Sequence, residues 1–256
     1  MSRCGESIKE LRKICQESRY ESEGGMPWFE RNFYRRLSIY FTKIFLKIGI
    51  SANHATLLSL FSALFGGLFL IFAINALYLL ISALFFILYL VLDRVDGETA
   101  RYNKSASKFG KHFDFMVGTF VHAYILACMT FGAYLALHDI VIFAFGFLAL
   151  ILNLLSELSR SELDREHISL KKKKLSKNII FIVYELVRRA SNFLGPGTII
   201  YPILIVTGLD IFFAPVSLSI PRIGSFVINA RYIFLILYSC GKIGSFMVKT
   251  HRLIHQ

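Results

Sequence analysis

Residues 77–118 read LYLLISALFFILYLVLDRVDGETARYNKSASKFGKHFDFMVG. From Leu77 to Leu92 the run is uncharged and apolar, from Asp93 to Lys111 it carries acids, bases and glycines, and at Phe113 it turns apolar again. That order is the mark of two membrane helices joined at the membrane surface, because charge is tolerated at the ends of a span and costly at its centre. Working outward in windows of about 20 apolar residues, six spans are expected, near His54 to Ile74, Leu77 to Leu92, Phe113 to Leu137, Ile140 to Leu158, Ile199 to Phe213 and Phe226 to Met247. The composition agrees: of 256 residues 55% are hydrophobic, with 25 Phe and only 5 Pro. The expected fold is an all-α, polytopic membrane protein.

Ahead of the spans lies a preface in two parts. Residues 1–25 form a polar N-terminal tail that ends in Gly24 and Gly25 and reads as a weak helix or a mobile segment. Over 26–50, Trp28, Phe29, Phe33, Tyr34, Leu37, Tyr40, Phe41, Ile44 and Phe45 recur at helical spacing beside Arg31, Arg35, Arg36, Lys43 and Lys47. This is the pattern of an amphipathic helix lying in the headgroup layer. Residues 51–256 then make up the six-helix domain, opened by Ser51 or Asn53 as a cap. Gly66 and Gly67 permit close helix packing.

Basic residues set the orientation. Ten lie between Met1 and His54, five between Asp93 and Lys111 and seven between Glu157 and Lys177, whereas the alternate connections hold only Arg222. An integral multi-pass protein with both termini cytoplasmic is therefore expected. The excess of +12 points to anionic lipid and phosphate-bearing substrates as partners. It does not point to nucleic acid, since no soluble basic domain remains to bind it. The polar start makes no cleavable signal peptide, so the first span would act as the insertion signal. Cys4, Cys15, Cys128 and Cys240 have no ligand spacing and read as reduced, unremarkable thiols.

Chemistry concentrates between the second and third spans. Asp93 and Asp96 are three residues apart and share a helix face. Asp114 starts the span that runs back beside them. Three carboxylates converging there suit Mg2+ or Mn2+, and through them a diphosphate. Gly97 and Ala100 leave the same surface free of bulk, and Arg101 offers charge for phosphate oxygens. Asp139 and Glu157, at other helix ends, read as solvated caps.

The order Asp93, Asp96, Gly97, Ala100, Arg101, an eight-residue spacer, Gly110 and Asp114 closely resembles the signature DxxDGxxAR–x8–GxxxDxxxD of the CDP-alcohol phosphotransferases (CDP-alcohol phosphatidyltransferases). Asn53 and Thr56 resemble the Asn and Thr that precede that family's first span. The resemblance implies a two-metal site in which Asp93, Asp96 and Asp114 hold Mg2+ or Mn2+ against the diphosphate of a CDP-linked alcohol donor. Thr56, Gly97, Ala100, Arg101 and Gly110 would line the nucleotide pocket. An alcohol or lipid acceptor hydroxyl would displace CMP, in phospholipid or related membrane-lipid synthesis, and a homodimer is expected.

One position departs from the signature. Gly118 stands where the family has its fourth aspartate, which puts the general base and the second metal in doubt. The nearest titratable substitute is His122, about 6 Å of helical rise further along. Either it or a water in the space beside Gly118 would take the acceptor proton. Arg160, Arg188 and Arg189 are candidates for an acceptor phosphate, or plain lipid contacts. A second class stays open: a catalytically silent relative that binds nucleotide or organises a lipid-synthesis complex. A transporter fits less well, because the acids sit at the membrane surface rather than at its midplane.

Overall fold

The computed structural model describes residues 5–17, 30–72, 76–138 and 140–165, and among them every regular element is helical. Helix α1 is Ile8–Cys15; a π-helical turn, Glu30–Tyr34, runs straight into α2, Arg35–Ile48. Then come α3 (Ala52–Ile71), α4 (Ala76–Tyr102), α5 (Lys108–Leu137) and α6 (Ile140–Arg165). Among the described residues, three helices are long and apolar enough to cross a membrane: Ala52–Ile71, Leu77–Tyr102 and Lys108–Leu135. The expected fourth span coincides with α6, whose apolar part, Phe143–Leu155, is shorter. The expected fifth and sixth spans, together with Arg188 and Arg189, lie outside the described residues.

Sequence chemistry explains where the helices start and stop. In α1, Ser7 and Glu10 form a capping box: the Ser7 hydroxyl accepts from the Glu10 N–H, and the Glu10 carboxylate accepts from the Ser7 N–H at 2.7 Å. Within the tail, Ile8–Cys15 is helical, and residues 1–4 and 18–25 lie outside the described residues. α2 ends at Gly49, whose φ of 78° is open to glycine at little cost, and the Ile50 N–H closes back on the Phe45 carbonyl at 2.9 Å. Ser51 opens α3, accepting from the Ala55 N–H at 3.1 Å.

Helix α4 does not end where its hydropathy ends. It continues from Leu92 to Tyr102, because hydropathy records only the part in hydrocarbon, while Glu98, Ala100 and Arg101 are compatible with further helical turns. The stop is a Schellman turn: Lys104 sits at φ 50°, the Ser105 N–H bonds the Ala100 carbonyl at 2.9 Å and the Lys104 N–H bonds that of Arg101 at 3.2 Å. Two residues on, the Ser107 hydroxyl accepts from the Gly110 N–H at 2.9 Å and caps α5. The signature thus straddles a short, fixed turn between two helices.

The chain divides into two compact units. Unit one comprises Met1–Gly66 and Ser82–Val121. Here α1 packs its Leu11 and Cys15 against Ile39 and Leu46 of α2, with Ile8 and Tyr102 at the margin of the cluster. An added Cβ at Gly66 would stand 3.0 Å from the Phe86 ring, so the small residue admits the ring of α4. The buried side of α2 includes Ser38 and Thr42, while its exposed side is the apolar stripe Leu37, Tyr40, Ile44 and Ile48. A helix with hydroxyls inward and large apolar side chains outward is suited to a surrounding that is itself apolar.

Unit two comprises Gly67–Ile81 and His122–Gln256. Its described helices meet through small residues and rings. A Cβ at Gly67 would lie 2.8 Å from the Cys128 sulfur and closer still to the Tyr124 ring, and one at Gly146 would collide with Thr130. Tyr134 meets Phe143 edge-on at 5.6 Å, and Phe69 stacks on Tyr78 at 6.1 Å. Glu157 is not the solvated cap its position implied: it is buried, and its Oε1 has no hydrogen-bond partner among the described residues. Cys15 and Cys128 are buried, and neither is in a disulfide among the described residues.

Candidate active site

The signature residues that the structure describes are carried by α3, α4 and α5 within unit one. Asp96, on α4, is buried, at 6% exposure, which would be costly for an unsupported carboxylate. Its Oδ2 accepts from the Thr56 hydroxyl of α3 at 2.7 Å, and its Oδ1 accepts from the Gly97 N–H. Thr56 also donates within its own helix, to the Ala52 carbonyl at 3.2 Å. Thr56, at the start of α3, and Asp96, in the signature on α4, are therefore in direct contact. Asp93 and Asp114 both act on Asp96 as like charges. Asp114 lies on the exposed side of α5.

Asp93 is turned onto Arg94, its neighbour in the chain, in a close ion pair. Arg94 reaches on to Glu30 at 3.4 Å, and Glu30 to Arg35 at 3.8 Å. This chain of four alternating charges is largely withdrawn from solvent and ties the π-helical turn to the first aspartate. Gly97 faces Arg101: a Cβ there would sit 3.2 Å from the guanidinium Nη1. Gly110 faces Asn53, whose Oδ1 would stand 3.4 Å from an added Cβ. Asn53, Thr56, Asp96, Gly97, Arg101 and Gly110 accordingly belong to one neighbourhood, joined by contacts among α3, α4 and α5.

Among the described residues, a Cβ at Gly118 would meet nothing within 4 Å, and none of them takes the place of a side chain there. His122, one turn on, is buried and belongs to unit two. Arg160 lies in α6.

Among the described residues, no three His, Cys, Asp or Glu side chains are gathered as a ready metal site. The donor chemistry nonetheless fits a hard divalent cation: oxygen ligands only, one of them buried and oriented by Thr56, with two like charges acting on it.

Residues outside the signature contribute as well. Glu98 is fully buried and accepts three hydrogen bonds: Gln16 Nε2 at 2.7 Å and Ser38 Oγ at 2.7 Å on Oε1, and Thr42 Oγ1 at 2.6 Å on Oε2. Arg101 donates its Nε–H to the Cys15 carbonyl at 2.6 Å. Sequence reasoning passed over these partners, since Glu98 lies about 200° around the helix from Asp96. The available signal was Ser38 and Thr42, two hydroxyls one turn apart on a helix otherwise apolar and basic.

Among the described residues the chain is α-helical, with three helices long and apolar enough to cross a membrane and an acidic group of residues on α4 and α5 beside α3. The sequence match is more specific: the family described as CDP-alcohol phosphatidyltransferase matches residues 52–209, more than half the chain, and the chain belongs to that family. Its members transfer substituted phosphate groups in lipid synthesis and generally depend on a divalent metal. Among curated proteins, none matches the chain.

Proposed function

We propose that this chain transfers a phospho-alcohol group, phosphatidyl or similar, from a CDP-linked donor to an acceptor hydroxyl with release of CMP. The observation that carries the reading is the Thr56–Asp96 hydrogen bond, which joins the start of the first span to the centre of the signature. In this reading Asp93, Asp96 and Asp114 hold Mg2+ or Mn2+, which would offset the diphosphate charge when bound. Thr56 keeps the Asp96 carboxylate aimed. Gly97, Ala100, Arg101 and Gly110 receive the nucleotide. The acceptor oxygen forms a bond to the phosphorus that carries the alcohol, the bond from that phosphorus to the CMP oxygen breaks, and the acceptor proton passes to His122 or to water in the open space beside Gly118. Arg160, Arg188 and Arg189 supply positive charge for an acceptor phosphate.

The same reading places six spans in the membrane with both termini cytoplasmic, as a homodimer, with anionic lipid along the basic loops and the exposed stripe of α2. The test is CMP release from a panel of CDP-alcohols with Mg2+ or Mn2+, each with and without small alcohols, phosphorylated alcohols and diacylglycerol. Release that needs one donor and one acceptor together supports the transfer; donor binding with no release under any pairing sinks it.

One observation favours a second reading. With no side chain filling the space at Gly118, the chain would be a silent relative that binds CDP-alcohol or organises a lipid-synthesis complex. A Gly118→Asp variant separates the two. A large gain in CMP release marks a disabled site, and a loss marks a site adapted to glycine.

A further inference from the structure

We infer that α1 is a strap that positions Arg101 for the nucleotide, latched by Glu98, and that Gln16 and Glu98 are positioning residues of the donor site. The inference rests on the nucleotide role proposed above for Arg101. Three independent contacts converge on it. First, the Arg101 Nε–H donates to the carbonyl of Cys15, the last residue of α1. The last carbonyls of a helix have no partner within it and carry its partial negative charge, so a guanidinium there both caps α1 and is held by it. Second, Gln16, the next residue, sends its Nε2 to Glu98 Oε1 at 2.7 Å and to the Arg35 carbonyl at 2.8 Å. Third, the Leu11 and Cys15 side chains are fully buried against α2.

Glu98 is what makes the latch specific. One carboxylate gathers donors from three places in the chain: the end of α1, and two successive turns of α2. It sits one helical turn before Arg101 on α4, so the helix that carries the latch also carries the residue being aimed. The guanidinium in turn lies over Gly97, next to Asp96. Undocking α1 would remove the Cys15 carbonyl from Arg101 and leave its side chain to reorient, without touching Asp93, Asp96 or Asp114.

Glu98→Gln discriminates latch geometry from charge. The amide oxygen would still accept from Gln16 and Ser38, and the amide nitrogen would donate to Thr42, whose hydroxyl can rotate to accept. The experiment uses the full chain in lipid nanodiscs, comparing wild type with Gln16→Ala, Glu98→Ala, Glu98→Gln and Arg101→Ala. Docking is read as the alkylation rate of Cys15, resolved by mass spectrometry, and nucleotide binding as the Kd for CDP.

The expected result is slow Cys15 alkylation in wild type and Glu98→Gln. Gln16→Ala and Glu98→Ala should show fast alkylation and a CDP Kd raised about tenfold, the size of one lost charge-assisted hydrogen bond. Arg101→Ala should weaken CDP at least as much. If Glu98→Ala does not accumulate, Gln16→Ala, which leaves Glu98 with its Ser38 and Thr42 bonds, carries the test. Cys15 becoming exposed while CDP affinity stays within about twofold overturns the positioning role. Cys15 remaining protected in both alanine variants overturns the latch. Wild type that binds no CDP at all overturns the nucleotide reading itself, and this inference with it.

Discussion

Two buried glutamates contrast the two units of the chain. Glu98, in unit one, is enclosed by three donors, and its helix neighbour Asp96 is held by a fourth from Thr56. Glu157, in unit two, is also buried, yet its Oε1 has no hydrogen-bond partner among the described residues. Elsewhere in that unit the described helices meet by glycine and ring contacts, as at Gly67, Gly146 and Tyr134. In an apolar surrounding, van der Waals packing through small residues suffices to hold helices together. A concentration of satisfied buried polar groups costs desolvation and is kept where side chains must be aimed. The polar unit is accordingly where the chemistry is proposed to lie, and substitutions in the two units should fail in different ways.

The largest effect is expected at the aimed carboxylate. Asp96→Asn should lower CMP release on the order of 10²–10³-fold, as removal of one oriented charge-stabilising group does elsewhere, with the protein still folded because the amide keeps a partner for Thr56. Assay of turnover beside a thermal unfolding curve checks both halves. Glu98→Ala comes next and should act on the fold. Three buried donors lose their acceptor together, at about 2–3 kcal/mol after partial relaxation, and a lowered unfolding temperature would show it. Glu157→Gln should cost far less. Equal losses at the two glutamates would break the contrast.

Smaller effects test the packing side. Gly67→Ala places a methyl against Tyr124 and Cys128 and should destabilise by about 1–3 kcal/mol through overpacking. Gly118→Ala meets open space and should gain up to about 1 kcal/mol from helix propensity. Unfolding curves in one detergent compare them directly. The smallest effect is at the strap. The Glu10 carboxyl is held below its ordinary range by the Ser7 backbone N–H and then by the Ser7 hydroxyl. A carboxyl depressed in the folded state stabilises α1 above the ordinary carboxylate range and loses that contribution as pH falls through it. Amide exchange in α1 should quicken on acidification in wild type, and Glu10→Gln should flatten that dependence.

Much of this was legible in the chain. Apolar runs located α3, α4 and α5, because hydrophobicity and membrane-crossing length are local properties. The spacing from Asp93 to Asp114 located the carboxylates, and Thr56 was found through the pattern ahead of the first span. Legibility failed where partners are far apart. Gln16 and Glu98 are separated by 82 positions, and Arg101 and Cys15 by 86; no periodicity in either segment specifies the other. It failed also at the end of α4, where helix outlasts hydropathy, and at Glu157, where a charged residue at the edge of an apolar run reads as solvated until its neighbours are known.

The central claim, that the signature transfers a phospho-alcohol group from a CDP-linked donor, meets its most direct test in one side-by-side measurement. Wild type and Asp96→Asn are given the same CDP-alcohol and acceptor, with Mg2+ and with chelator, and CMP is counted. The account predicts release by wild type that requires Mg2+ and falls to background in Asp96→Asn. Equal release by both proteins, or none by wild type with every donor and acceptor, would contradict it.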